Sequence, residues 1–159
     1  MAIVIAGIGI PGAGKTTVLL PFAREHHYIY ISPDDLREKI TGDAGDQSKN
    51  RMVWVEAYRL MREAIAGERS VVFDATLAKR EDRQSFVKLA RRYGATQVFA
   101  VYFEVSMEVA ERRNAGRTRV VGSHVLERMH TSLLLDPPST SDGFDQVYAS
   151  SELDQLPKS

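Results

Sequence analysis

Lys15 and Thr16 close the run Gly9-Ile10-Pro11-Gly12-Ala13-Gly14-Lys15-Thr16, which satisfies G-x-x-x-x-G-K-[ST] at every fixed position. The chemistry of such a run is phosphate binding. Glycines let a backbone wrap close to an anion and aim its N–H groups inward. A helix beginning at Lys15 adds the positive end of its dipole. The run implies a nucleoside triphosphate. Gly12, Ala13, Gly14, Lys15, Thr16 and Thr17 are expected to bind it, with Lys15 across the β- and γ-phosphates and the Thr16 hydroxyl on Mg2+.

A second group of reactive side chains is Ser32-Pro33-Asp34-Asp35-Leu36-Arg37. Asp34 and Arg37 stand three apart, so on a helical turn both can point the same way. A carboxylate can accept a hydroxyl proton and a guanidinium can grip a phosphate. Spacing alone suits Asp34 equally well as a cap or first-turn charge. Asp74 ends an apolar run and is expected either to serve the Mg2+ shell or to order the acceptor site. Arg112, Arg113, Arg117 and Arg119 form a basic cluster that can close over a triphosphate, although a solvated helix end would look the same. Neither an Asn-Lys-x-Asp nor an Asp-x-x-Gly occurs, which argues against a GTPase switch, and there is no adjacent Asp-Glu of the kind a ring-forming ATPase carries.

These groups need elements to hold them. Ile3 to Ile8 is a buried-strand run, and Thr16 to His26 reads as a helix with Val18, Leu19, Phe22 and Ala23 on one face. Tyr28 to Ile31 is strand-like. Ser32 suits an N-cap and Pro33 the first helical position of a short helix reaching about Ile40. Gln47 to Ala66 is a long amphipathic helix ended by Gly67, with Trp54 expected in its core stripe; residues 42–50 are an alternative acceptor wall. Ser70 to Asp74 is a strand, Lys79 to Tyr93 a helix closed by Gly94, and Gln97 to Val105 a strand. Met107 to about Asn114 and Ser123 to Leu135 are helices flanking a mobile segment, Gly116 to Val121. Phe144 to Tyr148 reads as a last strand, and residues 150–159 as a polar, frayed tail. Strands alternating with helices predict an α/β fold, a parallel sheet covered on both faces, with residues 1–149 as one domain. Ligands in such sheets bind at the carboxyl ends of the strands, just after Ile8, Ile31, Phe73 and Glu104.

With these motifs in order, the chain resembles the polynucleotide 5′-kinases, the end-healing kinases of phage, bacterial and animal type. The likeness runs from Ile3 to about Val147. Gly9-x-Pro11-Gly12-Ala13-Gly14-Lys15-Thr16 is similar to the family phosphate loop. Asp34-Asp35-Leu36-Arg37 is similar to its Asp-x-x-Arg, which makes Asp34 the general base and Arg37 the holder of the acceptor phosphate. Val72-Phe73-Asp74-Ala75-Thr76-Leu77 resembles the strand-end Asp, and Arg113-Asn114-Ala115-Gly116-Arg117 the lid whose arginines contact ATP. Pro137-Pro138 through Val147 resembles the tail of the animal-type enzymes. The resemblance implies a P-loop kinase fold with an Arg-bearing helical lid, ATP and Mg2+, catalysis by Lys15, Asp34 and Arg117, and acceptor binding by Arg37 and Asp74. It departs at Pro33, where the family often has Arg, and at Ala75-Thr76 in place of Thr-Asn. Both departures fall on the acceptor side. The expected acceptor is a nucleic-acid 5′-hydroxyl. A nucleoside, a small molecule or a hydroxymethylated base is the alternative acceptor, and a non-catalytic nucleotide-binding module the alternative of another class.

Composition sets outer bounds. The chain has 159 residues, 21 Lys plus Arg against 21 Asp plus Glu, and no Cys. Zero net charge excludes coating nucleic acid by bulk charge. Without Cys there is no disulfide, thiolate metal site or Cys nucleophile. No apolar run approaches the ~20 residues of a membrane span, and Met1-Ala2-Ile3-Val4 lacks a signal-peptide pattern, so a cytoplasmic location is expected. Lys79, Arg80, Arg83, Lys88, Arg91 and Arg92 are expected to form a solvated basic face. The four histidines have no metal-ligand spacing.

Overall fold

The structure, a computed structural model, describes residues 1–116 and 121–158. Five strands, β1 (Ile3–Ile8), β2 (Ile29–Ile31), β3 (Val71–Ala75), β4 (Gln97–Tyr102) and β5 (Gln146–Ala149), form one sheet in the order β2-β3-β1-β4-β5. Every pairing is parallel. Among the described residues six α-helices accompany them: α1 (Lys15–Glu25), α2 (Pro33–Thr41), α3 (Asn50–Ala66), α4 (Arg80–Arg92), α5 (Met107–Ala115) and α6 (Ser123–Leu135). The elements match the sequence expectation in type and order.

Side-chain alternation along β1 divides the core. Val4, Ala6 and Ile8 face a cluster containing Ala57 and Met61 of α3, Phe86 of α4 and Leu126 of α6. Ile3 and Ile5 face the opposite cluster, with Leu19, Phe22 and Ala23 of α1 and Phe99 and Val101 of β4. Burying each large apolar side chain stabilises the fold by roughly 1.5–3 kcal/mol. Gly7 lets α1 come close: a Cβ there would lie 2.2 Å from Leu19 Cδ1. The register sets Gly7 opposite Asp74 and Ile8 opposite Ala75, so the loop after β1 begins beside the end of β3.

Local signals explain the boundaries. Ser32 Oγ accepts from the Asp35 N–H at 3.3 Å, and Pro33 takes the first position of α2. Gly94 adopts φ +109° after α4. Gly67 follows α3, but the left-handed residue is Glu68 at φ +57°.

Two expectations are corrected. Ser150–Gln155 is not frayed: it forms a 3-10 helix, and Leu156 beyond it is buried in the α1-side cluster. The Tyr28 hydroxyl donates to the Pro157 carbonyl nearby. The apolar side chains Leu153 and Leu156, set within a polar stretch, supply the reason. The basic face of α4 is not wholly solvated either. Arg83 is 0% exposed, because its guanidinium reaches Asp142, the Leu77 and Ala78 carbonyls and the Asp136 carbonyl. Among the described residues no helix is long and apolar enough to cross a membrane.

Candidate active site

A cleft of about 1260 Å3 opens at the carboxyl ends of β1, β2 and β3. The loop after β1 forms one wall. Gly12 and Gly14 have φ of +86° and +90°, which only glycine adopts without strain. A Cβ on Gly12 would also lie 2.8 Å from the Ala110 carbonyl, so α5 packs directly on the loop. Lys15 Nζ donates to the Gly9 carbonyl at 2.6 Å and the Ile10 carbonyl at 3.3 Å, folding the ammonium over the concavity. Gly12, Ala13, Gly14, Lys15, Thr16 and Thr17 all line the cleft.

Asp74, at the end of β3 and 6% exposed, meets α1 across the cleft floor. Its Oδ2 accepts from Thr16 Oγ1 at 3.0 Å and from the Tyr30 hydroxyl. Burial, and then the Asp74 charge, hold the Tyr30 phenol far above its ordinary pKa, so it stays protonated as a donor. One hydroxyl and one carboxylate beside a phosphate-binding loop fit magnesium, which takes few protein oxygens and completes its shell with phosphates and water. Among the described residues no group of three or more His, Asp or Glu could hold a metal by itself. Tyr30 carried no signal in the sequence: it is one aromatic among several in a strand-like run.

Asp34 and Arg37 are brought together, though not as two independent tools. Arg37 Nη1 donates to Asp34 Oδ1 at 2.7 Å, Nη2 donates to Asn50 Oδ1 at 2.6 Å, and Arg37 is only 4% exposed. That pair orients Asp34, while Arg37 Nε, also buried, makes no hydrogen bond among the described residues. Asn50, at the start of α3, shares the guanidinium with Asp34. Asp35 follows Asp34 in α2. Burial, then Asp74, Asp34 and Glu38, raise its pKa above the usual carboxylate value. The acceptor wall anticipated from residues 42–50 is present in part, since Gly45, Gln47 and Asn50 line the cleft. Trp54 also lines it and is half-buried, rather than lying wholly in the core.

Arg113 reaches the phosphate loop, with Nη1 donating to the Gly12 carbonyl at 3.1 Å. Arg117 and Arg119 lie outside the described residues. Asn114, buried, bonds Val121 through both amide atoms: Nδ2 donates to its carbonyl at 2.7 Å and Oδ1 accepts from its N–H at 2.9 Å. That side chain pins the two sides of the expected lid together. Its position between lid arginines was visible in the sequence, but its bonding was not. Chemically, the cleft joins an anion-binding loop, a magnesium-compatible pair and an oriented carboxylate.

Comparisons with known proteins agree with this architecture. A chain from the Pnkp1/Rnl/Hen1 RNA repair complex superposes with a TM-score of 0.76 at 21% identity, covering 91% of this chain and 46% of that one. This chain therefore spans about half the length of that relative. A protein from Chloroflexus aurantiacus j-10-fl, solved as a candidate kinase, gives 0.69 at 15% identity, with coverage of 99% and 92%. A gluconokinase from Sinorhizobium meliloti 1021 gives 0.59 at 22%, with coverage of 97% and 87%. At such identities the likeness is one of fold, the P-loop kinase fold. No curated protein matches by sequence. The family model described as an AAA domain matches residues 4–135, most of the chain. By that match, the chain belongs to the AAA domain family.

Proposed function

We propose that the protein is an ATP-dependent phosphotransferase that passes the γ-phosphoryl group to an alcohol, and that the alcohol is the 5′-hydroxyl of a nucleic-acid end. The observation that carries the transferase reading is the Arg37–Asp34 pair, which shares one cleft with the phosphate loop. A module that only binds nucleotide has no use for an oriented proton acceptor. The nucleic-acid reading is supported by the motif resemblance and by the superposition on the RNA repair complex.

In this mechanism the loop N–H groups and Lys15 would hold the triphosphate, and Thr16 and Asp74 would hold Mg2+. Magnesium, when bound with the nucleotide, offsets charge on the phosphate oxygens. Asp34 takes the proton of the attacking hydroxyl. Arg37 keeps that carboxylate aimed. Arg113, with Arg117 from the lid, meets charge on the transferring group.

A second reading, a kinase for a small molecule, is favoured by one feature. Arg37 is only 4% exposed and already donates to Asp34 and Asn50, so an acceptor phosphate reaches it less readily than it would an open guanidinium.

One assay separates these readings. ATP consumption is measured with a 5′-hydroxyl oligonucleotide, a nucleoside, gluconate or no acceptor. The proposal expects turnover with the oligonucleotide, and expects Asp34→Asn to lower kcat by roughly 10²–10⁴ with little change in acceptor KM. Turnover with gluconate alone selects the second reading. Absence of acceptor-dependent turnover leaves a nucleotide-binding module.

A further inference from the structure

The part of the cleft beyond the phosphate loop has an aromatic wall. Asn50, Trp54 and Tyr58 recur every fourth residue along α3, so one helix face presents all three to the cleft. Trp54 is the only tryptophan in the chain. It is half-buried and braced from behind. Its ring lies 5.7 Å from that of Tyr58 and 5.9 Å from that of Phe73, and Tyr58 stacks on Phe73 at 5.8 Å with 21° between planes. An indole backed by two rings is already ordered, so a ligand that lies against it loses little side-chain entropy on the protein's side. Leu77, Val125 and Met129 line the same cleft and extend its apolar lining.

Asn50 is the amide on the α3 face that carries Trp54, with Gln47, Thr76, Asp82 and Ser85 elsewhere in the cleft lining. Asn50 Oδ1 accepts from Arg37, and Arg37 gives its terminal nitrogens to Asn50 and Asp34. A compact polyol needs a hydrogen-bond partner for most of its hydroxyls, or the buried ones go unpaid. A flat ring needs only an apolar, polarisable face.

We propose that Trp54 is the platform of a stacking subsite for the base of the acceptor nucleotide, so that the acceptor is held by its ring rather than by a phosphate clamped on Arg37. This rests on the nucleic-acid reading given above and deepens it. Two consequences follow from the geometry. Acceptor binding is tolerant of which base stacks, because every base offers a π-face. A 3′-phosphate on the acceptor adds less than an open guanidinium would give it, because Arg37 is 4% exposed and shared with Asp34 and Asn50.

Trp54 reports on its own occupancy. Titrating the protein with a 5′-hydroxyl oligonucleotide, without ATP, is expected to change its tryptophan fluorescence saturably, while gluconate does not. In steady state, Trp54→Leu is expected to raise acceptor KM by about tenfold or more, within the range that base stacking supplies, and to leave the KM for ATP unchanged. Trp54→Phe keeps a ring and is expected to recover most of the loss, which guards against a fold defect in the leucine variant. If the wild-type protein phosphorylates the oligonucleotide but its fluorescence and the KM of both variants stay level, the stacking subsite is wrong and the kinase reading stands. A comparable fluorescence change with gluconate also overturns the subsite. If the wild-type protein turns over no nucleic acid or nucleoside, the nucleic-acid reading fails and the subsite fails with it.

Discussion

Carboxylates crowd the place where α2 begins and β3 ends, and Asp35 bears the consequence. Burial and the charges of Asp74, Asp34 and Glu38 raise its pKa. A carboxyl raised on folding contributes stability that is fully present below its ordinary pKa and is lost as pH rises through the raised value. Ionised Asp35 therefore weakens the fold at neutral pH. Asp35→Asn is expected to raise Tm at pH 7, with the gain disappearing as pH falls below the ordinary carboxylate range. Thermal melts across a pH series check this, and a gain independent of pH would refute it. At this scale the phosphate loop was legible, because all its fixed positions are neighbours in sequence and its glycines have one backbone use. Asp34 and Arg37 were legible as a pair, since a single helical turn joins them. That Arg37 is shared with Asn50 was not legible: Asn50 lies thirteen positions away in another helix.

Between elements, Arg83 is the tie. It is buried in α4, with Nε donating to Asp142 Oδ2 at 2.7 Å and Nη1 to the Leu77 and Ala78 carbonyls at 3.1 Å. Nη2 donates to the Asp136 carbonyl at 2.8 Å, just past the end of α6. The loop after β3 is thereby held with Leu77 at φ +44°, a conformation that costs a non-glycine residue about 1–3 kcal/mol and persists only when its surroundings impose it. Losing one partner leaves a buried charge with only a longer ion pair, Arg80–Asp142 at 3.8 Å or Arg83–Asp136 at 3.6 Å, so Arg83→Met or Asp142→Leu is expected to cost about 3–5 kcal/mol. The double variant is expected to be more stable than either single one, because an apolar pair leaves no charge stranded. Urea denaturation of the four proteins measures the cycle, and strictly additive losses would show that the pair is not coupled. Helix α4 was legible from its periodicity and from Gly94. The role of Arg83 was not, because a basic residue on a basic helix looks solvated until its acid is located, and Asp142 lies 59 positions on.

Across the whole molecule, the chain after β5 closes the α1-side core. Leu156 is 3% exposed, within the same cluster as Ile3, Phe99 and Tyr148. Leu156→Ala is expected to cost about 2 kcal/mol or more, lowering Tm by roughly 5 °C in a domain of this size. A circular-dichroism melt tests it, and an unchanged Tm would return this stretch to the frayed tail its polar composition suggests. The sequence by itself determined the class of fold, the order of strands and helices, the phosphate loop and the edge of the sheet where chemistry belongs. Those follow from periodicity, turn residues and a contiguous motif, all of which act over a few neighbouring positions. Only the tertiary structure decided which charges are spent on one another. Thr16 meets Asp74 from 58 positions away, Tyr30 joins them from a third element, Arg37 turns inward to Asn50, and Trp54 moves from core to cleft wall. A polar or aromatic side chain reads the same in sequence whether it is solvated, paired or waiting for a ligand. Its partner is set by how strands and helices pack, and that information is spread over the whole chain.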